Sequence, residues 1–187
     1  MPEFPRTAFL LGAGLGTRLR PLTENCPKPL LPIAGRPMVL QAMEKLRAAG
    51  TRRFLINTHH CPEAWTLAFP DGRFGDAEVK LVHEPVLLET GGGLANIAGL
   101  LGPDDLDLVV WNGDILSGCD ITAAVAHHRA NGGEATLVVR EEGPNRNVRV
   151  TDEGAVTDLR DRLGQQDPAY QYAGICVVTK EIGRAHV

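Results

Sequence analysis

The chain has 187 residues, 43% hydrophobic and 22% charged, a size and balance that fit one globular domain and exclude disordered, fibrous and low-complexity classes. The formal net charge is −4 with lysines and arginines scattered, which argues against a nucleic acid polymer or a membrane surface as partner. No basic leader precedes an apolar run and no apolar stretch approaches the ~20 residues that cross a bilayer, so a cytoplasmic location is expected.

In chain order, TAFLLG (7–12) is a short apolar run ending in glycine, as in a strand buried on both faces. Residues 37–50 open on proline, close on glycine and set Met38, Leu40, Met43 and Leu46 largely on one side, which predicts a helix. Strands are expected at 52–58, 78–83, 106–112 and 134–140, a short helix at 62–69, a glycine-opened helix at 92–102, and a helix capped by Asp120 that runs to about Asn131. This alternation predicts an α/β fold: a mostly parallel open sheet with helices on both faces. Beyond 140, NVRVTDEGAVTDLR reads as a small β-hairpin insertion, followed by a last strand, YQYAGICVV.

In open α/β sheets ligands lie beyond the carboxyl ends of the strands, so the segments that follow each strand carry the argument. After the first strand, Gly12, Gly14 and Gly16 allow positive φ and close approach of backbone N–H groups, and Arg18 and Arg20 add positive charge. That combination suits an anion, most economically a nucleotide phosphate; a flexible turn is the competing reading. The loop fails the P-loop pattern, because Gly16 is followed by Thr17-Arg18, and it fails the dinucleotide fingerprint, because prolines follow at 21, 27, 29 and 32. Those prolines demand a stiff, extended loop, and Lys28 between Pro27 and Pro29 is held where it can be aimed. Asp114 follows the fourth strand in VVWNGD and is either a turn residue or a Mg²⁺ ligand.

Other features favour plain structural readings. Cys26, Cys61, Cys119 and Cys176 are widely spaced and read as reduced, packed thiols. The pairs His59-His60 and His127-His128 turn adjacent side chains apart, and Ser117, the only serine, lacks a hydrolase motif.

The run LGAGLGTRLRPLTENCPKPLLPIAGRPM resembles the signature of the sugar-phosphate nucleotidyltransferases. VHEPVLLETGGGLANI resembles their nucleobase-reading loop and helix, WNGD their metal-binding strand end, and QYAGICVV their sugar-contacting strand. The LLETGGG form is most similar to the branch of N-acetylmuramate 1-phosphate uridylyltransferase and mannose-1-phosphate guanylyltransferase-like proteins. The resemblance implies a Rossmann-like nucleotidyltransferase fold. It also implies a reaction in which an NTP and a sugar 1-phosphate give an NDP-sugar and pyrophosphate.

By the same resemblance, the backbone of Leu11, Gly12, Ala13, Gly14 and Gly16, with Thr17, cradles base and ribose. Arg18 grips the departing phosphates, Lys28 sits between the α-phosphate and the sugar phosphate, and Asp114 binds Mg²⁺. Asn112 and Gly113 lie near the sugar, and Gly174, with Tyr172 nearby, leaves room for its ring. Glu84 reads the base: its carboxylate accepts from N3–H of uracil or from N1–H and the amine of guanine, which favours UTP, dTTP or GTP over CTP or ATP. Glu89 is a weaker candidate for the same role. Gly92 and Gly93, with Gly91, let backbone approach the base, or else cap a helix.

Two departures stand out. The Glu-Lys-Pro of many relatives is replaced by DLRDRLGQQDP, where Arg160 or Arg162 offers charge without the motif. The chain also ends at TKEIGRAHV, before the segment whose aspartate completes the family's metal site. Residues 1–187 are therefore expected to be one nucleotidyltransferase domain truncated at its carboxyl end. Assembly into a homo-oligomer is compatible with the sequence. Two alternatives stay open: a nucleotide-binding regulatory domain without turnover, and a cytidylyltransferase for a phosphorylated amino alcohol.

Overall fold

The computed structural model describes residues 3–184. In chain order it contains β1 (Thr7–Leu11), 3-10 turns at Thr17–Leu19 and Lys28–Leu30, a short pair β2 (Pro32–Ile33) and β3 (Arg36–Pro37), α1 (Met38–Ala49), β4 (Arg53–Thr58) and α2 (Pro62–Ala68). There follow β5 (Arg73–Phe74), β6 (Ala77–His83), α3 (Glu89–Ile97), a 3-10 turn at Ala98–Leu100, β7 (Asp107–Asn112), α4 (Ile121–Asn131) and β8 (Ala135–Arg140). The hairpin β9 (Val148–Val150) and β10 (Val156–Leu159), the long strand β11 (Ala169–Thr179) and a 3-10 turn at Lys180–Arg184 complete it.

Four strands, β6, β4, β1 and β7, lie side by side and parallel, with β1 in the middle. Ala8, Phe9 and Leu10 are fully buried, as a central strand covered on both faces requires. Because successive side chains point to opposite faces, Ala8 and Leu10 enter the core shared with α1, α2 and α4. Phe9 enters the second core, with Ile97 of α3 and Ile182 of the closing turn. The expected mostly parallel open sheet with helices on both faces is therefore present.

Its outer strands depart from the simple alternation. β11 runs antiparallel between β7 and β8, so β8 keeps the direction of β7 without touching it. The same strand pairs Ala169 and Tyr170 with β9, tying the hairpin to the sheet. A helix expected to open at the glycines instead begins at Glu89, with Gly91 to Gly93 inside its first turns. Its start is set by the Leu88 N–H, which donates to the buried carboxylate of Glu84 at 3.1 Å, and close packing at Gly93 overrides glycine's poor helix propensity. A 3-10 turn over Lys180–Arg184 is the last element of the described residues.

α4 begins where the sequence placed it. Asp120 Oδ1 accepts the N–H groups of Thr122 and Ala123 at 3.0 Å each, satisfying two of the donors a helix start leaves free. Further along, His128 is 2% exposed and its Nδ1 lies 2.9 Å from Thr136 Oγ1 on β8. Burial lowers its pKa; Asp107 opposes that shift, while Arg129 and His127 add to it.

A histidine whose folded pKa is depressed stabilises the fold above its unfolded value and withdraws that contribution as pH falls. Urea unfolding should therefore show stability declining below about pH 6.5, with a shallower decline in His128→Gln. Identical slopes in the two proteins would remove His128 from the account.

Candidate functional site

The carboxyl ends of β1, β4 and β7 open onto a cleft of about 390 Å³, walled by the loop after β1 and by residues 87–90. Its first wall depends on three glycines, each needed for a different reason. A Cβ at Gly12 would lie 2.6 Å from Trp65 Cζ2 and 2.8 Å from the Asn57 carbonyl oxygen, so the chain passes there only without a side chain. Gly16 has φ +63° and abuts Thr23, whose hydroxyl donates to the Gly16 carbonyl at 2.8 Å. At Gly14 a Cβ would meet nothing within 4 Å, so no protein packing demands glycine there. The missing side chain at Gly14 instead bares backbone to the cleft. Among the described residues, the N–H groups of Ala13, Gly14, Leu15 and Gly16 find no protein acceptor. Thr17 and Arg18 line the cleft just beyond, and the exposed Arg18 guanidinium has no protein partner among the described residues.

Lys28 reaches the cleft because the residues after it are anchored. Pro29 and Leu30 are buried, and the Leu31 N–H donates to the Lys28 carbonyl at 3.1 Å. Gly113 makes the seat: its N–H donates to the Leu11 carbonyl at 2.9 Å, and a Cβ would lie 2.9 Å from that oxygen and 3.0 Å from Pro29 Cβ. With Pro29 pressed on Gly113, Lys28 Nζ donates to Asp114 Oδ2 at 2.5 Å. The two side chains are 33% and 29% exposed, so solvent reaches both.

Behind the loop runs a buried polar relay. The Gly12 N–H donates to Asn57 Oδ1 at 2.8 Å, Asn57 Nδ2 donates to Glu84 Oε1 at 2.9 Å, and Glu84 Oε2 accepts from the Leu88 N–H. The chemistry fixes the amide orientation, since only oxygen can meet the Gly12 donor and only nitrogen the carboxylate. Glu84 is 0% exposed and both its oxygens are occupied by protein, so it does not line the cleft as expected of a base reader. Gly93 belongs to the same knot, with a Cβ there 3.2 Å from both Asn57 Nδ2 and Glu84 Oε1, and Gly92 packs on Leu88. Neither glycine lines the cleft.

Glu89 does line it, together with Thr90 and Leu87. Its φ of +59° is the left-handed conformation, a strain of about 1 to 3 kcal/mol for a residue other than glycine.

The other expected residues divide similarly. Leu11, Ala13 and Asn112 line the cleft; Gly113, expected near the sugar, lies beneath it, packed on Leu11 and Pro29. Gly174 has φ +78° at the register shift of β11, and a Cβ there would meet Ile115 at 2.8 Å and Asn112 at 3.1 Å. The space it leaves is thus filled by protein. Tyr172 lines a separate hollow of about 320 Å³ with Arg140 and Gln171, and burial pushes its phenol pKa upward. Arg160 and Arg162 sit outside the cleft, on a loop whose N–H groups at 162, 163 and 165 donate to Asp158. Among the described residues, no group of three His, Cys, Asp or Glu is arranged to hold a metal. Sequence reasoning missed Asn57, Leu87 and Thr90; an asparagine at the carboxyl end of an otherwise apolar strand was the available signal for the first.

The profile of the family described as Nucleotidyl transferase matches residues 7–162. The mannose-1-phosphate guanylyltransferase of Mycobacterium tuberculosis is 40% identical over 160 residues, 83% of this chain and 42% of that protein. The N-acetylmuramate alpha-1-phosphate uridylyltransferase of Neisseria meningitidis is 39% identical over 118 residues, 63% of this chain and 50% of that protein. The chain thus spans about half the length, or less, of the curated relatives it matches. A Bacillus anthracis structure described as a putative glucose-1-phosphate thymidylyltransferase superposes with TM-score 0.80 at 18% identity, covering 95% of this chain and 73% of the other. HddC from Yersinia pseudotuberculosis, complexed with GMP-PN, gives 0.76 at 20% identity over 94% and 77%.

Glu84→Gln tests the relay, because an amide sets a donor against either Asn57 Nδ2 or the Leu88 N–H. It should reduce unfolding free energy by about 1 to 3 kcal/mol in urea titration. Unchanged stability would mean that Glu84 is not held as described.

Proposed function

The chain belongs to the nucleotidyl transferase family, and on that premise we propose that it joins an NTP to a sugar 1-phosphate, giving an NDP-sugar and pyrophosphate. The observation that carries this reading is the Lys28–Asp114 contact beside the bare backbone of Gly14, in a cleft that Arg18 also enters. Free N–H groups and two cationic side chains suit a polyphosphate, and the relatives named above act on nucleotides and sugar phosphates.

The reaction is an in-line displacement at the α-phosphorus. An oxygen of the sugar phosphate forms the new P–O bond while the bond to the β-phosphate breaks, and pyrophosphate leaves with the electron pair. Lys28 places its ammonium against the α-phosphate oxygens, where charge must be balanced as two anions meet. Arg18, reaching from the turn Thr17–Leu19, is placed to hold the leaving phosphates. Backbone from Ala13 to Gly16 fixes the nucleotide, which turns much of the barrier into prior positioning.

Asp114 fits Mg²⁺ as a single carboxylate, because this ion is commonly held by one or two carboxylates with phosphate oxygens and water making up the rest. When bound it would neutralise phosphate charge. The Lys28 ammonium then exchanges its contact with Asp114 for phosphate oxygen. Asn112, two residues before Asp114 at the β7 end, also lines the cleft, and in this reading it meets the sugar phosphate. We place the enzyme in the cytoplasm, as a soluble protein; among the described residues no helix is long and apolar enough to cross a membrane.

Lys28→Ala should lower pyrophosphate release by at least about 100-fold in the presence of Mg²⁺, an NTP and a sugar 1-phosphate, while NTP affinity stays within about tenfold. Equal losses of rate and affinity would contradict the role given to Lys28. Binding without release for every pair of substrates would favour a regulatory nucleotide-binding domain.

A further inference from the structure

The loop after β1 runs mostly in solvent. Between Gly14 and Asn25, Thr23 is the one buried residue, at 0% exposure. Its side chain serves Gly16: the hydroxyl donates to the Gly16 carbonyl at 2.8 Å, and a Cβ at Gly16 would lie 2.9 Å from Thr23 Cγ2. Gly16, at φ +63°, opens the turn Thr17–Leu19 that carries Arg18. The backbone hydrogen bonds of residues 16–25 close on one another, the Leu19 N–H on the Gly16 carbonyl and the Glu24 N–H on the Pro21 carbonyl among them. They give the loop a shape without fastening it to the sheet.

Among the described residues, the hydrogen bonds that leave this stretch run to His60 and Cys61, just beyond β4. His60 Nε2 lies 2.6 Å from the Thr23 carbonyl; a carbonyl only accepts, so that nitrogen carries the proton. The Cys61 thiol, a weaker donor, reaches the Glu24 carbonyl at 3.5 Å. The neighbouring His59 turns the other way, its Nδ1 2.7 Å from the Glu84 carbonyl. We propose that His60 is a positioning residue for the transfer reaction: through the Thr23 carbonyl it holds the turn that sets Arg18 in the cleft. The inference rests on the reading that Arg18 grips the departing phosphates of an NTP. An arginine on an unfastened turn is ordered only when phosphate binds it, whereas a tethered turn has given up that freedom beforehand.

Two measurements on the whole chain separate the tether from the reaction. Trypsin cuts after Arg18, and in ligand-free His60→Ala the initial rate of that cut, followed by mass spectrometry, should rise at least about fivefold while the cut after Arg162, also exposed, stays unchanged. In titrations with Mg²⁺, His60→Ala should bind the triphosphate that the wild type prefers among GTP, UTP, CTP and ATP about tenfold more weakly, and its monophosphate unchanged. In an Arg18→Ala background the substitution should weaken triphosphate binding no further, because its effect passes through Arg18. His60→Gln, which keeps an N–H donor, should restore both readouts. An unchanged cut after Arg18, or equal acceleration after Arg162, would overturn the inference. Equal weakening of mono- and triphosphate would overturn it as well, as would a full loss persisting without Arg18, or His60→Gln behaving like His60→Ala. A wild type that binds none of the four triphosphates, while His60→Ala still frees the cut after Arg18, would refute the transferase reading and leave the tether standing.

Discussion

Asn57 touches the glycine loop and the carboxylate that sets the start of α3, and the shape of the cleft depends on that double contact. Its amide oxygen takes the Gly12 N–H and its nitrogen gives to Glu84, which in turn holds the Leu88 N–H. Three segments far apart in sequence, the loop after β1, the end of β4 and the turn before α3, are thereby fixed to one another without a side chain in solvent. Asn57 is 3% exposed and Glu84 0%, so each partner lost would leave a buried donor or acceptor unmatched. Such a knot is stiff for the same reason that it is vulnerable.

Fixing those segments gives the cleft its two walls. Lys28, Arg18 and the bare N–H groups line it from the segments that follow β1, whereas Leu87, Glu89 and Thr90 line it from the start of α3. The glycines divide by role: Gly12, Gly93 and Gly113 exist for protein contacts, and Gly14 faces open space. A glycine-rich signature is thus only in small part about the ligand. Most of it lets backbone, Trp65 and Pro29 come close enough to build the walls.

This division explains what could be read from sequence. The Ala8–Leu10 run announced two-sided burial, Pro37 and Gly50 bracketed α1, and Asp120 marked the start of α4, because each signal is local. Lys28 was legible from the prolines that flank it and Asp114 as a carboxylate at a strand end, although their contact spans 86 positions. The place of Glu84 after β6 is a local fact that the sequence carries, while its direction is set by Asn57, 27 residues earlier, and was not legible. Beside Gly174 stand Ile115 and Asn112, and nothing near residue 174 in the sequence reveals them. The insertion of β11 between β7 and β8 was equally hidden, since an alternating strand–helix pattern does not record which strands pair over long range.

The charge in the cleft bears on how a ligand enters. Lys28 and Asp114 satisfy each other, yet both are about one-third exposed, with side-chain values of 33% and 29%. Pairs that water reaches contribute about 1 kcal/mol or less, so separating this one costs little. Under the proposed function a triphosphate would offer Lys28 several acceptor oxygens at once, in a cleft where the N–H groups of Ala13 to Gly16 have no protein acceptor among the described residues. The pair therefore acts as a placeholder that keeps the lysine extended over the strand ends. It is weak enough to yield when phosphate arrives. A deeply buried pair at the same place would hold the lysine more firmly, but desolvated charges resist separation, and the ammonium would be withheld from the phosphates it faces.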